Sequence, residues 1–415
     1  MTNTTGPRLP WAGRIVRIED VEEQLSLFWR MTADNVRTSQ NINVRTSVLN
    51  LVICAPDVES AQRASATIRD LSSTHVARVI LLVLDTTEGS PGAVTTWATL
   101  RSFPIISDTM RHNFEQITVL VAGSAIRATS NILQPLLKPH LPTYIWWLGD
   151  PPSDNTLLRN LTQLSNRIIV DLSSFFQPEQ SLHTLVSFLE EAPDCALSDL
   201  NWGRITPWRS LVAQFFDMAE YKSYLGGVNT INIEHAATNT VQTTRTALGD
   251  ISPNPTRALF LAAWLKSRLG WQLSTNASDA FHDESSGTYD WQMIRASAAP
   301  ARASGSTRSG KLSMANAFGA MHIRPRYDDG MPPGVICLFH MTSKVDSKNA
   351  TFTINRADEE HVTTVVELDK TNLPQRTVSL AAESAVSALL HDELEIMGRD
   401  HFYEETLRAM VQLLQ

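Results

Sequence analysis

The most regular chemical feature of the chain is a set of aspartates that follow apolar runs. Asp57, Asp85, Asp150 and Asp171 stand at or just after the runs 48–54, 79–84, 144–148 and 168–170. A fifth run, 117–122, ends in Gly123-Ser124. In an open α/β sheet, ligands bind beyond the carboxyl ends of the strands. Carboxylates placed there suit a divalent cation and, through it, a phosphorylated substrate; without a cation they repel phosphate. The local reading is that Asp57 caps a helix and Asp150 opens a turn with Pro151. None of the tips carries G-x-G-x-x-G, so the backbone cradle for a pyrophosphate is not written. Gly305-Ser306-Thr307-Arg308-Ser309-Gly310-Lys311 fits G-x-x-x-x-G-K, but Leu312 follows where a P-loop needs Ser or Thr for magnesium. That segment also follows a Pro/Ala/Ser stretch and reads as a flexible basic loop. The eleven histidines show no H-E-x-x-H and no zinc-like pair, and no G-x-S-x-G elbow occurs. His391-Asp392-Glu393 falls on a helix, where consecutive side chains diverge, and reads as a solvated face. The spacing therefore assigns no catalytic residue, no metal ligand and no cofactor.

The elements that would position these groups follow from periodicity. Residues 1–17 read as a loose arm. A helix then begins at Asp20, which can cap it, with Val21, Leu25, Phe28 and Trp29 on one face. The five apolar runs alternate with helical segments. Strands apolar on both faces mark a parallel sheet covered by helices on each side. Residues 40–198 are thus predicted to form a doubly wound α/β domain without a dinucleotide fingerprint, preceded by an arm and helix over 1–39. Residues 199–415 are predicted to form an α+β domain. Its short alternating strands lie near 231–235, 290–296, 320–326, 334–341, 351–356 and 363–368, in a mainly antiparallel sheet. Its helices include 258–269, stopped by Gly270, and two that close the chain, 381–397 and 401–414, broken at Gly398. Stretches 276–287 and 296–310 read as polar loops.

The stretch Leu200-Asn201-Trp202-Gly203-Arg204-Ile205-Thr206-Pro207-Trp208-Arg209 opens the second half. Thr206 is a candidate N-cap and Pro207 sits at the first helical position. Trp208, Leu211, Val212, Phe215 and Phe216 then share one face, with Arg209, Ser210, Gln214 and Asp217 on the other. Such tryptophans are core residues or a recognition surface, and the arginines that leave the apolar face are the exposed candidates.

Bulk numbers narrow the classes. With 415 residues the chain holds two or three domains, and 43% hydrophobic with 19% charged residues is ordinary globular composition. A net charge of −8 argues against general affinity for nucleic acid or anionic membranes. Cys54, Cys195 and Cys337 are far apart and form no CxxC, which predicts no disulfide framework and a reducing compartment. No signal-like N-terminus and no apolar stretch of membrane length are present, so the expectation is a soluble, cytoplasmic protein.

Two segments carry a resemblance. They are Leu141-Pro142-Thr143-Tyr144-Ile145-Trp146-Trp147-Leu148-Gly149-Asp150-Pro151-Pro152 and Asp199-Leu200-Asn201-Trp202-Gly203-Arg204-Ile205-Thr206-Pro207-Trp208-Arg209. With Arg167-Ile168-Ile169-Val170-Asp171, Trp264-Leu265-Lys266-Ser267-Arg268-Leu269-Gly270-Trp271 and the ending Gly398-Arg399-Asp400, the chain resembles the glucose-6-phosphate dehydrogenase assembly protein family, OpcA. The resemblance covers nearly the whole chain. It implies a non-catalytic partner that promotes the active oligomer of glucose-6-phosphate dehydrogenase or activates it, in the oxidative pentose phosphate cycle of cyanobacteria and actinobacteria. Partner-contact candidates are Trp146, Trp147, Asp150, Trp202, Arg204 and Arg209. The competing readings are a metal-dependent nucleotide-sugar enzyme using the acidic tips and a small-molecule sensor at the same place.

Overall fold

Apolar strands dictate the first half of the molecule. The computed structural model describes residues 13–36, 47–71, 75–87, 89–104, 111–152, 156–238, 253–274, 280–295, 318–369, 371–380, 385–396 and 398–415. The chain forms two compact units, one of Met1–Phe176, Ser187–Leu200 and Ala385–Asp400, the other of Gln177–Val186, Asn201–Ser384 and His401–Gln415. Through the first unit run β1 (Arg14–Val16), α1 (Val21–Val36), β2 (Leu49–Ala55), α2 (Val58–Leu71), β3 (Ala77–Asp85), β4 (Ala93–Pro104) and β5 (Arg111–Ala122). There follow α3 (Thr129–Leu133), β6 (Thr143–Trp147), α4 (Thr156–Thr162), β7 (Arg167–Val170), α5 (Pro178–Glu191, of which 187–191 lie in this unit) and β8 (Ala196–Asp199).

The eight strands stand in the order β1-β4-β5-β3-β2-β6-β7-β8. Neighbours from β5 to β8 pair in parallel. Within this parallel part the chain order is third, second, first, fourth, fifth, sixth, the strand order of doubly wound dinucleotide-binding folds. Every residue of β2 is buried, and in β3 all but the last. Such strands must be covered on both faces, and α2 supplies Ala61, Ala64, Ile68 and Leu71 from one side. The antiparallel strands β4 and β1 extend one edge. Both escape a search for apolar runs, because both are partly exposed: residues 14–16, expected as arm, form β1, and β4 begins with exposed Ala93 and Val94. Asp20 bonds Arg17 side chain to side chain at 2.8 Å, and one turn of 3-10 helix, Ile18–Asp20, leads into α1.

The second unit contains α6 (Leu200–Arg204, from Asn201), α7 (Thr206–Gln214), α8 (Ala219–Lys222), β9 (Val228–Ala237), α9 (Thr256–Leu269), β10 (Trp271–Leu273), β11 (Ala280–Asp283), β12 (Thr288–Arg295) and β13 (Phe318–Tyr327). β14 (Ile336–Val345), β15 (Lys348–Arg356), β16 (His361–Leu368), β17 (Thr371–Asn372) and β18 (Arg376–Ser379) complete a ten-stranded sheet. Helix α10 (Val386–Glu395) belongs to the first unit, and α11 (His401–Leu414) to the second. The path β10-β12-β13-β9-β14-β15-β16-β17 is antiparallel except at β13–β9. Alternation puts one apolar row across six strands, Trp291, Met321, Ile231, Met341, Phe352 and Val366. Phe352 sits among the rings of Phe215 at 5.3 Å, Phe216 at 5.0 Å, Tyr221 at 6.0 Å and Tyr224 at 6.4 Å. These aromatic contacts seat α7 on the sheet. Trp208, Leu211, Val212 and Phe215 are buried as the periodicity predicts.

Helix ends agree with the sequence signals in part. Gly270 has φ 64° and its N–H reaches the carbonyls of Lys266 and Ser267, the left-handed stop of α9. Thr206 is not the N-cap: Ile205 holds that position without a side-chain bond, and the Thr206 hydroxyl accepts instead from Arg209 at 2.7 Å. A short helix, α6, already precedes it, so the chain turns through Ile205 with the helix partly formed. Residues 280–283 of the expected loop 276–287 form β11, while the loop 296–310 and the glycine-lysine motif 305–311 lie outside the described residues. All three cysteines are free and buried. Among the described residues no helix is long and apolar enough to cross a membrane.

Buried charges tie the first unit together. Arg78 of β3 and Glu115 of β5 are each 1% exposed and pair at 2.8 Å, with Trp29 Nε1 donating to the same carboxylate at 2.9 Å. Arg167 of β7, 2% exposed, donates to Ser198 Oγ on β8, to the Ile396 carbonyl at 3.1 Å and to the Gly398 carbonyl, and faces Glu393 at 3.5 Å. The stretch 391–393 is therefore not one solvated face: Asp392 is exposed, whereas Glu393 is buried toward Arg167 and His391 meets His75. Burial raises the Glu393 carboxyl above its ordinary range.

Two substitutions test this packing. Trp208→Ala should lower stability by about 3–5 kcal/mol, the range for a large buried aromatic, as read by urea unfolding. Arg167→Ala should cost about 3–5 kcal/mol in the same measurement, because Glu393 would be left buried without its cation.

Candidate functional site

The switch point of a doubly wound sheet is where a ligand crevice forms, and here it lies between β2 and β6. Chain leaving β2 passes Pro56 and Asp57 into α2. Asp57 Oδ1 accepts the Ser60 N–H at 2.6 Å, which caps the helix as the sequence predicts. In dinucleotide-binding folds this helix N-terminus faces the pyrophosphate. Here a carboxylate takes one of its orphan N–H groups and sets a negative charge in the same place.

The other acidic tips are also engaged, two locally and one across connections. Asp85 accepts from Thr87 N–H at 3.0 Å and from Ser90 Oγ at 3.5 Å, and the Thr87 bonds hold its carboxyl below the usual range. Asp150 Oδ2 accepts the Phe176 N–H at 2.7 Å, while its carbonyl takes the Trp147 indole N–H at 3.4 Å. Asp171 Oδ1 accepts from the N–H of Ser173 at 3.2 Å and its hydroxyl at 2.5 Å. Asp57, Asp85 and Asp171 thus shape their own loops, whereas Asp150 ties the connection after β6 to the one after β7. Of the contact candidates in this unit, Trp146 and Trp147 are 4% and 5% exposed and Asp150 is half buried.

The second unit gathers the others around α6 and α7. Asn201, fully buried, donates to Thr256 Oγ1 at 3.0 Å and accepts from Arg257 Nε at 3.3 Å. Trp202 is 4% exposed and packs against Phe260 and Tyr403, both at 6.0 Å between ring centres. The Arg209 guanidinium lies over the Trp202 ring, 3.4 Å from its centre, and also bonds Thr206 Oγ1 and, at 3.4 Å, the Trp202 carbonyl. Arg204 and Arg209 are half buried. The structure therefore brings Trp202, Thr206 and Arg209 into one cluster, and Trp147 and Asp150 into another. The stacking fixes the orientation of Arg209 while leaving part of it in solvent.

Beside this helix runs a cleft of about 310 Å³ that motif reading missed, lined by Leu211, Phe215, Met218, Tyr221, Leu373 and Pro374 among others. Met218 is exposed to 53%. The only sequence signal was an apolar residue next to the polar end of α7; the second wall comes from strands 150 residues further on.

One titrating pair lies elsewhere in the second unit. Tyr289 donates to Glu179 Oε1 at 3.4 Å. Burial, then the hydrogen bond and repulsion from Glu284, push the Glu179 carboxyl up to about 7. Burial and these carboxylates also raise the Tyr289 hydroxyl.

The profile of the family described as glucose-6-phosphate dehydrogenase subunit, C-terminal domain, matches residues 195–407, and that of the N-terminal domain matches residues 68–187. A relative from Synechocystis sp. (strain ATCC 27184 / PCC 6803 / Kazusa), named as an OxPP cycle protein, OpcA, is 30% identical over 220 residues, 52% of this chain and 41% of its own length. Its namesake from Nostoc punctiforme (strain ATCC 29133 / PCC 73102) is 29% identical over 180 residues, 43% of this chain and 34% of its own length. The matches thus span about two fifths or less of these relatives. Among solved structures, levoglucosan dehydrogenase in complex with NADH is similar with a TM-score of 0.42 and 10% identity, over 87% of this chain and 90% of that one.

The Glu179 environment predicts a pH dependence. Its folded value, about 7, lies above the ordinary 4.5, so its contribution to stability is complete below about pH 4.5 and is lost as pH rises through 7. Glu179→Gln should make the decline in melting temperature between about pH 5 and about pH 8 shallower than in the parent protein.

Proposed function

The chain belongs to the family of glucose-6-phosphate dehydrogenase subunits, OpcA, and on that premise we propose that it is a non-catalytic assembly factor and allosteric activator of glucose-6-phosphate dehydrogenase in the oxidative pentose phosphate cycle. The observation that carries the non-catalytic part is the Asp57 carboxylate at the N-terminus of α2. The sheet has the strand order of a nucleotide-binding fold, yet the helix end that would hold a pyrophosphate bears an anion. The metal-dependent enzyme reading needs free carboxylates at the tips, and these carboxylates accept hydrogen bonds from backbone and side-chain groups of the tip connections.

The contact surface we propose is the outer side of α6 and α7. Arg204 and Arg209 supply charge there, and Leu211, Phe215 and Met218 line the adjoining cleft. A stacked arginine beside an apolar cleft is the composition of an interface hot spot, with little side-chain freedom left to lose on binding. Trp202 supports Arg209 from beneath, and Trp146, Trp147 and Asp150 of the first unit are a second, separate candidate. Activation follows from population shift: a partner that binds the active oligomer better than the inactive one favours it by that difference alone. A tenfold shift corresponds to about 1.4 kcal/mol.

Alone, the protein should oxidise no glucose 6-phosphate. Added to the dehydrogenase of the same cell, it should raise activity at limiting substrate, and glucose 6-phosphate should tighten the complex by reciprocity. Met218→Asp should weaken that complex without lowering the melting temperature. Titration of one pure protein into the other, with and without substrate, checks this. No complex in either condition, or a complex with unchanged kinetics and oligomer size, would sink the proposal.

A further inference from the structure

We propose that His75, His391 and Glu395 form a site for a divalent transition metal of the zinc type, which clamps α10 to the connection between α2 and β3. His75 follows α2 and donates its backbone N–H to the Leu71 carbonyl at 3.0 Å. Its ring is almost buried, with a side-chain exposure of 7%. His391 and Glu395 are four residues apart on α10, so one helix face presents both. His75 Nε2 lies 2.6 Å from His391 Nδ1, and His75 Nδ1 lies 3.8 Å from Glu395 Oε1. One donor atom from each residue lies within 4.8 Å of the others. All three residues belong to the first unit.

The two ring edges face each other at hydrogen-bond distance, and a small side-chain adjustment, to about 3.3 Å between the nitrogens, lets one tetrahedral ion bind both. The planes are inclined at 51° with centres 4.6 Å apart, so ring edges and their lone pairs meet, not stacked faces. Two nitrogens this close share at most one proton. Nitrogen donors select zinc, cobalt or nickel over magnesium and calcium, which take oxygen ligands. Glu395 is 67% exposed, so the fourth position opens to water. The apolar wall formed by Ile68, Leu71 and Leu394 lies beside the donors.

The consequence is long-range. His75 and His391 are 316 residues apart in sequence, and the chain between them builds the whole second sheet. A metal across them would stabilise the return of residues 385–400 to the first unit by binding only the folded form. The sequence hides the site because a single His and a His-x-x-x-Glu pair are common on solvated helices.

The full chain, stripped with a chelator and desalted, is titrated with zinc chloride by calorimetry. One equivalent should bind and raise the melting temperature, and magnesium chloride should do neither. The cobalt-loaded protein should show the visible absorption of a low-symmetry nitrogen-ligated ion. His391→Ala, at a half-exposed helix position, should retain the fold by circular dichroism and lose the calorimetric equivalent. Glu395→Gln should weaken binding by about 10–100-fold, the range for a carboxylate that ligates or orients a ligand. Should His75→Ala not fold, His391→Ala decides alone. No bound equivalent in the parent protein, or an equivalent undiminished in folded His391→Ala, would overturn the site. Neither result bears on dehydrogenase binding, which is read in a separate titration.

Discussion

Arg167 is a cation in the middle of a buried parallel strand, and it cannot stay there unpartnered. Burying an isolated charge costs several kcal/mol, so the groups that satisfy it are structurally obligatory. Ser198 on the neighbouring strand supplies one bond, and the carbonyls of Ile396 and Gly398 supply the others, with Glu393 close by. The last three of these belong to a segment that follows the whole second sheet in sequence. The guanidinium thereby fixes where residues 385–400 return, and with them the helix that brings His391 to His75. Arg78 and Glu115 do the same within the sheet, joining β3 to β5.

The first unit combines the strand order of a dinucleotide-binding fold with a carboxylate at the N-terminus of its first crossover helix. Six parallel strands in dinucleotide-fold order create a crevice at β2 and β6. A helix N-terminus there attracts anions through its free N–H groups and its dipole. Asp57 meets that attraction internally. Trp146 and Trp147 fill the body of β6, and the Trp147 indole holds the backbone at Asp150. In the second unit α7 presents a stacked arginine and borders an apolar cleft. Two aromatic groups lie behind them: Trp202 packs on Phe260 and Tyr403, and Phe352 gathers four rings around it.

Legibility followed burial symmetry. Strands buried on both faces, such as β2 and β3, read as unbroken apolar runs, and strands buried on one face, such as β9 and β13, read as alternation. The edge strand β1 and its neighbour β4 follow neither pattern cleanly, since parts of both face water. Caps were legible where a single residue decides them: Asp57 at the start of α2 and Gly270 at the end of α9. Thr206 was not, because a helix was already forming before it and its hydroxyl found Arg209 instead. The run 391–393 was legible as three diverging side chains, but not in where each one goes.

The sequence by itself determined the element types, the parallel character of the first sheet, the mainly antiparallel character of the second, and the absence of a glycine-rich phosphate loop at the strand tips. These depend on side-chain periodicity and on local hydrogen bonding, which act over a few residues. Tertiary structure alone decided the strand order, the pairing of Arg167 with residues 396 and 398, the stacking of Arg209 on Trp202, and the meeting of His75 with His391. Each of these joins groups whose approach is set by how buried surfaces close on one another. No local spacing records that closure.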